Sequence, residues 1–416
     1  MGLRGRVICP HCWEEFAPED ILWVSEHPSL RNDPRLGPDE ARRFLPDRFD
    51  LDGNAIDPGG QVCKRLACPN CHLSVPRSNL ELQPLFVSIV GSPACGKSYF
   101  LASMTWRLRN VLPQYFGLTF SDADPTANAL LNEYEEQQFH NPDQDALVKL
   151  AKTQEQGDLY DEIRFDQQIV RLPRPFFFAI RPSAEHPNRD LQVRASRVMC
   201  LYDNAGESFQ PGKDTAANQV TRHLTRSDSL LFLYDPTQDP RFREACRKVS
   251  QDPQVNEAPV TTRQETILHE MADRIRRHTH LPQHQKHASQ LIVVVTKYDA
   301  WKGLLKTELP HPWRKALDHS IHGLDLGFVK KVSKQLRELL WKYTPELCSS
   351  AESFADDVLY IPTSATGHAP EKLPDGPGYG IRPRKIRPIW AEVPLLAVLC
   401  RGCRGMVAQV VNTDEK

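Results

Sequence analysis

The run Leu85-Phe86-Val87-Ser88-Ile89-Val90 passes without a break into Gly91-Ser92-Pro93-Ala94-Cys95-Gly96-Lys97-Ser98. The pattern is an apolar strand, then G-x-x-x-x-G-K-S, then the helix opening Tyr99-Phe100-Leu101-Ala102-Ser103-Met104. Glycines at both ends of such a loop let the backbone wrap closely enough for successive N–H groups to face one anion. The helix that follows adds its own unpaired N–H groups and positive end. Lys97 is placed to reach terminal phosphates and the Ser98 hydroxyl to sit on Mg²⁺, with Gly91, Ala94, Cys95, Gly96 and Tyr99 completing the cradle.

Three further stretches extend this site. Val198–Tyr202 is a short apolar strand that runs into Asp203-Asn204-Ala205-Gly206, a D-x-x-G sequence. An aspartate at a strand's carboxyl end holds a Mg²⁺ water shell, and a glycine turns its N–H toward a γ-phosphate. Leu291–Val295 is a buried-type parallel strand followed by Thr296-Lys297-Tyr298-Asp299. A carboxylate at Asp299 accepts from the N1–H and exocyclic amine of guanine, a donor pair that adenine lacks, while the stem of Lys297 lies over the base. Val358–Thr363 forms a last strand, and the following Ser364 and Ala365 bring a backbone N–H to the base.

The series Gly91–Ser98, Asp203–Gly206, Thr296–Asp299 and Ser364–Ala365 resembles the translation-factor and Ras-like class of P-loop GTPases over residues 85 to about 402. With its cysteine-rich N-terminus ahead of that core, the chain also resembles the bacterial double-GTPase group of multi-gene signalling or conflict systems. The resemblance implies GTP/GDP and Mg²⁺ as cofactors, a protein partner that includes a second GTPase, and loop ordering by Mg²⁺–GTP that relaxes after hydrolysis. The sequence departs from the pattern in two places. Glu207 stands where Ras-like enzymes place the glutamine that orients the attacking water, so a slow GTPase is expected. Thr296 stands where asparagine is commoner. Thr153 is the candidate switch-one threonine, with Thr119 and Thr126 as rivals, and Arg164 or Arg171 is the candidate internal arginine finger.

The long interval from Ser98 to Asp203 predicts a helical insertion over about 112–172, with Asp124 as N-cap and Leu130, Leu131 and Tyr134 on one helix face. Phe176–Ile180 then reads as a strand pairing with the one that ends at Asp203. Leu230–Tyr234 reads as a buried strand, Thr262-Arg263-Gln264-Glu265 as a capping box opening a helix, and Phe328–Tyr343 as an amphipathic helix. Strand and helix alternate, which predicts an α/β fold whose mostly parallel sheet is covered by helices on both faces. The expected organisation is a zinc-ribbon-like module at 1–82, a GTPase domain at 83–403 and a tail at 404–416.

The first of these modules rests on Cys9-Pro10-His11-Cys12 and Cys68-Pro69-Asn70-Cys71, two C-P-x-C knuckles. Two such turns together supply a tetrahedral Cys₄ set for Zn²⁺. A disulfide pair and a thioredoxin-like site are the competing readings, and His11, His72 and Cys63 are spare ligands. The intervening segment, polar and proline-rich, is read as a loop. Cys400 and Cys403 are read as one face of a terminal helix, and the histidines from His269 to His287 as surface residues. Cys95 lies among backbone N–H groups and beside Lys97, which predicts a lowered thiol pKa and oxidation-sensitive nucleotide binding.

A formal net charge of −1 gives no global attraction to nucleic acid or anionic membrane. No apolar run approaches the roughly 20 residues needed to span a bilayer. Eleven cysteines without an export signal suit metal-bound thiolates in the cytoplasm. Two functional classes therefore stand against each other: a nucleotide switch, and a scaffold in which the zinc module works and the nucleotide is structural. An ATPase is the third reading, which the T-K-x-D stretch disfavours.

Overall fold

The computed structural model describes residues 2–150, 160–165, 168–204, 209, 222–256, 263–316, 321–374 and 378–410. Its centre is a seven-stranded sheet. In chain order the strands are β1 (Gln83–Gly91), β2 (Leu118–Asp122), β3 (Phe176–Pro182), β4 (Arg197–Asp203), β5 (Ser229–Tyr234), β6 (Gln290–Val295) and β7 (Val358–Pro362). Their spatial order is β2-β3-β4-β1-β5-β6-β7. The pairs β4/β1, β1/β5, β5/β6 and β6/β7 are parallel, whereas β2/β3 and β3/β4 are antiparallel. Every residue of β5 and β6 is buried, as expected for strands covered on both faces.

Helices cover the sheet. They are α1 (Lys97–Phe116), α2 (Ala129–Phe139), α3 (Gln264–Thr279), α4 (Leu326–Tyr343), α5 (Pro345–Phe354) and α6 (Val393–Gly402). The order of strand addition reverses between the parallel β1 and β5: the connection from β1 leads toward β2, and that from β5 toward β6. A ligand crevice belongs outside the carboxyl ends of strands at such a point. Residues 91–98 and Asp235 lie there.

Several local expectations shift. The helix expected from Asp124 begins at Ala129, because the Asp124 carboxylate instead accepts from the N–H groups of Thr126 and Ala127 and closes a turn. The insertion over 112–172 is not wholly helical, since Tyr160–Phe165 and Gln168–Pro173 form an antiparallel hairpin. Its Ile163, Val170 and Leu172 are buried with Cys9, Cys12, Cys68 and Cys71, so part of the insertion completes the core of the cysteine module. The helix expected from the capping box is present as α3 but starts at Gln264, whose side chain turns toward β5, with Arg263 as N-cap; Thr262 lies outside the described residues. Residues 404–410 are more than a tail. Met406 and Val407 are buried, and Leu324 exchanges hydrogen bonds with Ala408 and Val410.

Residues 7–75 are built from short hairpins rather than loop. Strands Leu22–Val24, Arg43–Phe44 and Leu66–Ala67 form one small sheet, and Arg31–Asp33 with Gly37–Ala41 and Ala55–Ile56 with Val62–Cys63 make two more hairpins. Among the described residues no helix is long and apolar enough to cross a membrane.

Candidate functional site

Ala94 and Gly96 both take positive φ, at 60° and 90°, so the loop between β1 and α1 curls its backbone twice before the helix begins. Space above Gly96 is open, with no heavy atom within 4 Å of where a Cβ would sit. Gly91 is the opposite case: a Cβ there would lie 2.9 Å from the Leu233 carbonyl oxygen and from Cys95 Sγ. One glycine thus supplies the turn, and the other lets the loop close onto β5.

Lys97 opens α1, and its Nζ lies 4.0 Å from Asp203 Oδ1 at the end of β4. Asn204, the next residue, is pinned by its side-chain amide and backbone N–H to the Ile89 carbonyl on β1. The carboxyl ends of β1 and β4 are thereby held together, beside Lys97 and Asp203. Ser98 and Tyr99 occupy the first turn of α1, and Tyr99 Oη accepts from the N–H of Leu150 at 3.0 Å. Gly206, Glu207 and Thr153 lie outside the described residues.

The second half of the site is joined to this loop by hydrogen bonds. Thr296 Oγ1 donates to the carbonyl of Cys95 at 3.1 Å. Lys297, in a left-handed conformation with φ 55°, directs Nζ to Asp235 Oδ2 at 2.7 Å and to Gln254 Oε1 at 3.2 Å. Burial alone would lower the Lys297 pKa, but the adjacent Asp235 carboxylate holds it above the usual lysine value. Asp299 accepts from Ser364 Oγ at 2.5 Å, and Ser364 Oγ in turn accepts from the Gly367 N–H at 2.7 Å. Burial raises the Asp299 pKa against the opposing Ser364 hydrogen bond. Ala365 is fixed to α1 through its carbonyl, which accepts from Ser103 Oγ at 2.7 Å.

Sequence reading passed over Asp235. It is fully buried, and its Oδ1 accepts from both the N–H and the hydroxyl of Thr237 while Oδ2 meets Lys297. Gln264 of α3 was also missed. Its amide bridges Asp235 and Ser92, so one side chain fastens the 91–98 loop to β5. The signal for Asp235 was its place directly after a buried strand; nothing local marked Gln264.

The Cys95 expectation is corrected. Its side chain is buried, and burial pushes the thiol up to about 11 despite the opposing Lys97 charge. A thiol so far from ionisation is a poor target for oxidation at neutral pH. The arginine candidates have other partners. Arg171 pairs with Glu162 across the 160–173 hairpin; the Arg164 N–H donates to the Arg35 carbonyl of the cysteine module, and the Arg35 guanidinium donates to the Arg164 carbonyl. Thr119 stands on edge strand β2, its hydroxyl bonded to the Arg181 carbonyl. Of the histidines, His287 is buried and stacked on Phe354 rather than exposed.

The cysteine module presents a second candidate centre. Sγ atoms of Cys9, Cys12, Cys68 and Cys71 all lie within 4.8 Å of one another and are buried. Cys9–Cys71 and Cys12–Cys68 are separated by 3.7 and 3.8 Å. A tetrahedron with Zn–S bonds of about 2.3 Å has sulfur–sulfur edges of about 3.8 Å, whereas a disulfide requires about 2.05 Å. The spacing therefore fits a tetrahedral metal and not a pair of disulfides. The two knuckles repeat one geometry. The N–H of His11 points at Cys9 Sγ and that of Asn70 at Cys68 Sγ, each at 3.4 Å. Trp13 and His72, each following a second cysteine, both take positive φ. The spare ligands are engaged elsewhere: His11 with the carbonyls of Pro173 and Ser74, His72 with Asp33, Cys63 with Asp57. Among the described residues no metal-type cluster includes Cys400 or Cys403, and Cys403 is buried in the main core.

Fold and sites together define an α/β protein with a glycine-lined strand–loop–helix site at its sheet edge and a Cys₄ module beside it. No protein-family model matches the chain, and no curated protein matches it. Solved structures align weakly. Sup35 complexed with GDP gives a TM-score of 0.23 at 12% identity, covering 68% of this chain and 38% of that one. Sup35 complexed with GMPPNP gives 0.22 at 12% identity with the same coverage. A variant of Aquifex aeolicus Era bound to GDP and AlF₄⁻ gives 0.24 at 14% identity, covering 72% of this chain and 62% of that one. The chain spans well under half the length of the Sup35 chain.

Proposed function

We propose that this protein binds a guanine nucleotide with Mg²⁺ at the sheet's carboxyl edge and acts as a slow GTPase switch. In this reading Gly91, Ala94, Cys95 and Gly96 offer backbone N–H groups to the phosphates, and Lys97 neutralises their charge. Ser98 and Asp203 hold the metal, and Gly206 and Glu207 attend the γ-phosphate and the attacking water. Lys297 covers the base while Asp299, held by Ser364, accepts its two donors beside Ala365.

The observation that carries the reading is the hydrogen bond from Thr296 to Cys95. It joins the base-reading stretch to the phosphate loop, so the two ends of one nucleotide would meet a single rigid frame. Supporting it, the Lys297–Asp235 pair and the Ser364–Asp299 bond orient both base-side residues before any ligand arrives. The Cys₄ set is assigned to one Zn²⁺ on the sulfur spacing, with a structural role. A cytoplasmic setting and a protein partner, including a second GTPase in a bacterial signalling or conflict system, belong to the same proposal by analogy.

Fluorescent GTP and ATP analogues titrated with Mg²⁺ test it. Wild type should prefer GTP, Asp299→Ala should lose that preference, and Lys97→Ala should weaken both nucleotides. Equal binding of ATP, or none, overturns the guanine assignment. Phosphate release from GTP then measures turnover.

A further inference from the structure

The first knuckle does not sit apart from the sheet edge. Trp13, the residue after Cys12, packs with Phe86, Phe177, Cys200 and Tyr202, side chains from β1, β3 and β4. Tyr202 Oη donates to the carbonyl of Pro10, between the knuckle's two cysteines, at 2.6 Å. Tyr202 is the immediate neighbour of Asp203, whose carboxylate faces Lys97. His223 packs against both rings, stacked on Trp13 at 5.8 Å and 4.8 Å from Tyr202. Arg222 reaches Glu14 of the same knuckle at 3.3 Å. One metal-type turn thus holds Tyr202, directly before the D-x-x-G stretch, and residues 222–223 further along the chain.

The contact is built to be conditional. Trp13 keeps a left-handed backbone, φ 58°, which for a side chain this large is a strained state. Locally it rests on a hydrogen bond from its N–H to the Cys9 carbonyl. The four sulfurs, 3.7–3.8 Å apart in pairs, become bonded to one another only through a metal. His223 is fully buried, and among the described residues neither ring nitrogen has a hydrogen-bond partner, an arrangement that costs desolvation and is relieved when the ring is uncovered.

We infer that the Cys₄ knuckle is a positioning device for the nucleotide site: zinc fixes Trp13 and Pro10, these fix Tyr202 and His223, and Asp203 is thereby held facing Lys97. Zinc and nucleotide are then reciprocally linked, each raising the affinity for the other. The linkage is greatest for a triphosphate, whose terminal phosphate reaches the D-x-x-G stretch. This inference rests on the nucleotide reading above. Tyr202, Trp13 and His223 are positioning residues and touch no ligand themselves.

The test measures linkage rather than turnover. Zinc affinity of the full chain is determined by competition with a chromophoric chelator, alone, with GDP and with GMPPNP. Fluorescent GMPPNP affinity is determined on zinc-loaded wild type and on zinc-loaded Tyr202→Phe, which loses only the hydroxyl that binds Pro10. GMPPNP should tighten zinc by about fivefold or more, with GDP doing less. Tyr202→Phe should keep one zinc per chain, bind GMPPNP more weakly and show a smaller linkage factor. Zinc affinity indifferent to both nucleotides, with GMPPNP binding equal in the two proteins, overturns the inference and leaves the nucleotide reading standing. Absence of any guanine-nucleotide binding by zinc-loaded wild type overturns both.

Discussion

Asp235 is a fully buried carboxylate that holds a lysine and a threonine from two directions. Removing it leaves the Lys297 ammonium without its closest counter-charge, and breaking such a pair costs about 3 kcal/mol. Asp235→Ala should therefore lower the unfolding free energy from denaturant titration by about that amount and weaken the proposed guanine binding as Lys297 loses its anchor. Gly91→Ala tests the opposite kind of residue. Its Cβ would meet the Leu233 backbone oxygen at 2.9 Å, so the loop must move, at a cost of about 1–3 kcal/mol. Cys95 gives a chemical test: with its thiol pushed up to about 11 by burial, iodoacetamide at pH 8 should spare it in the folded protein and modify it after unfolding.

At the scale of elements, the turn at Asp252–Asn256 sets a pH-responsive carboxyl close to Lys297. Asp252 caps it by accepting from the N–H of Gln254, while Gln254 touches Lys297. Burial pushes the Asp252 carboxyl from 3.8 up to about 6; the Gln254 hydrogen bond and Lys297 oppose the rise, and Asp299 and Asp235 add to it. Between those values the folded protein holds a proton that the unfolded chain has lost, so this group makes stability fall as pH rises through the window. Asp252→Asn keeps the cap and removes the titration. Unfolding free energies from urea titration should fall less between pH 4 and pH 6.5 in the variant than in wild type, the difference being at most about 3 kcal/mol.

Elements also show where sequence reading succeeds. Six of the seven strands of the sheet were legible, because runs such as Leu230–Tyr234 and Leu291–Val295 are apolar at every position and only a doubly covered strand needs that. The edge strand Leu118–Asp122 was not, since its alternation of buried and exposed residues is brief and follows a helix directly. The 160–173 hairpin was missed for a related reason. Its apolar residues serve the cysteine module, far off in sequence, and no local period announces that partner.

Over the whole molecule, the cysteine module covers one part of the sheet surface. Phe86, Phe177 and Tyr202 are buried beneath Trp13. Chelating the metal should release that cover, seen as a rise in anilinonaphthalene sulfonate fluorescence and a lower thermal midpoint, both reversed by Zn²⁺. If the dye signal and midpoint are unchanged when zinc content falls to zero, the module does not depend on metal for its packing. Local pattern alone specified the phosphate-type loop, the strand before it, the T-K-x-D stretch and the paired knuckles. Each is a short run whose backbone geometry and side-chain chemistry follow from neighbours in sequence. Asp235, Gln264, the docking of Trp13 on Tyr202 and the burial of Cys95 came only from long-range packing. There the environment of a side chain is set by residues tens to nearly two hundred positions away, and no local rule encodes the desolvation or the partner.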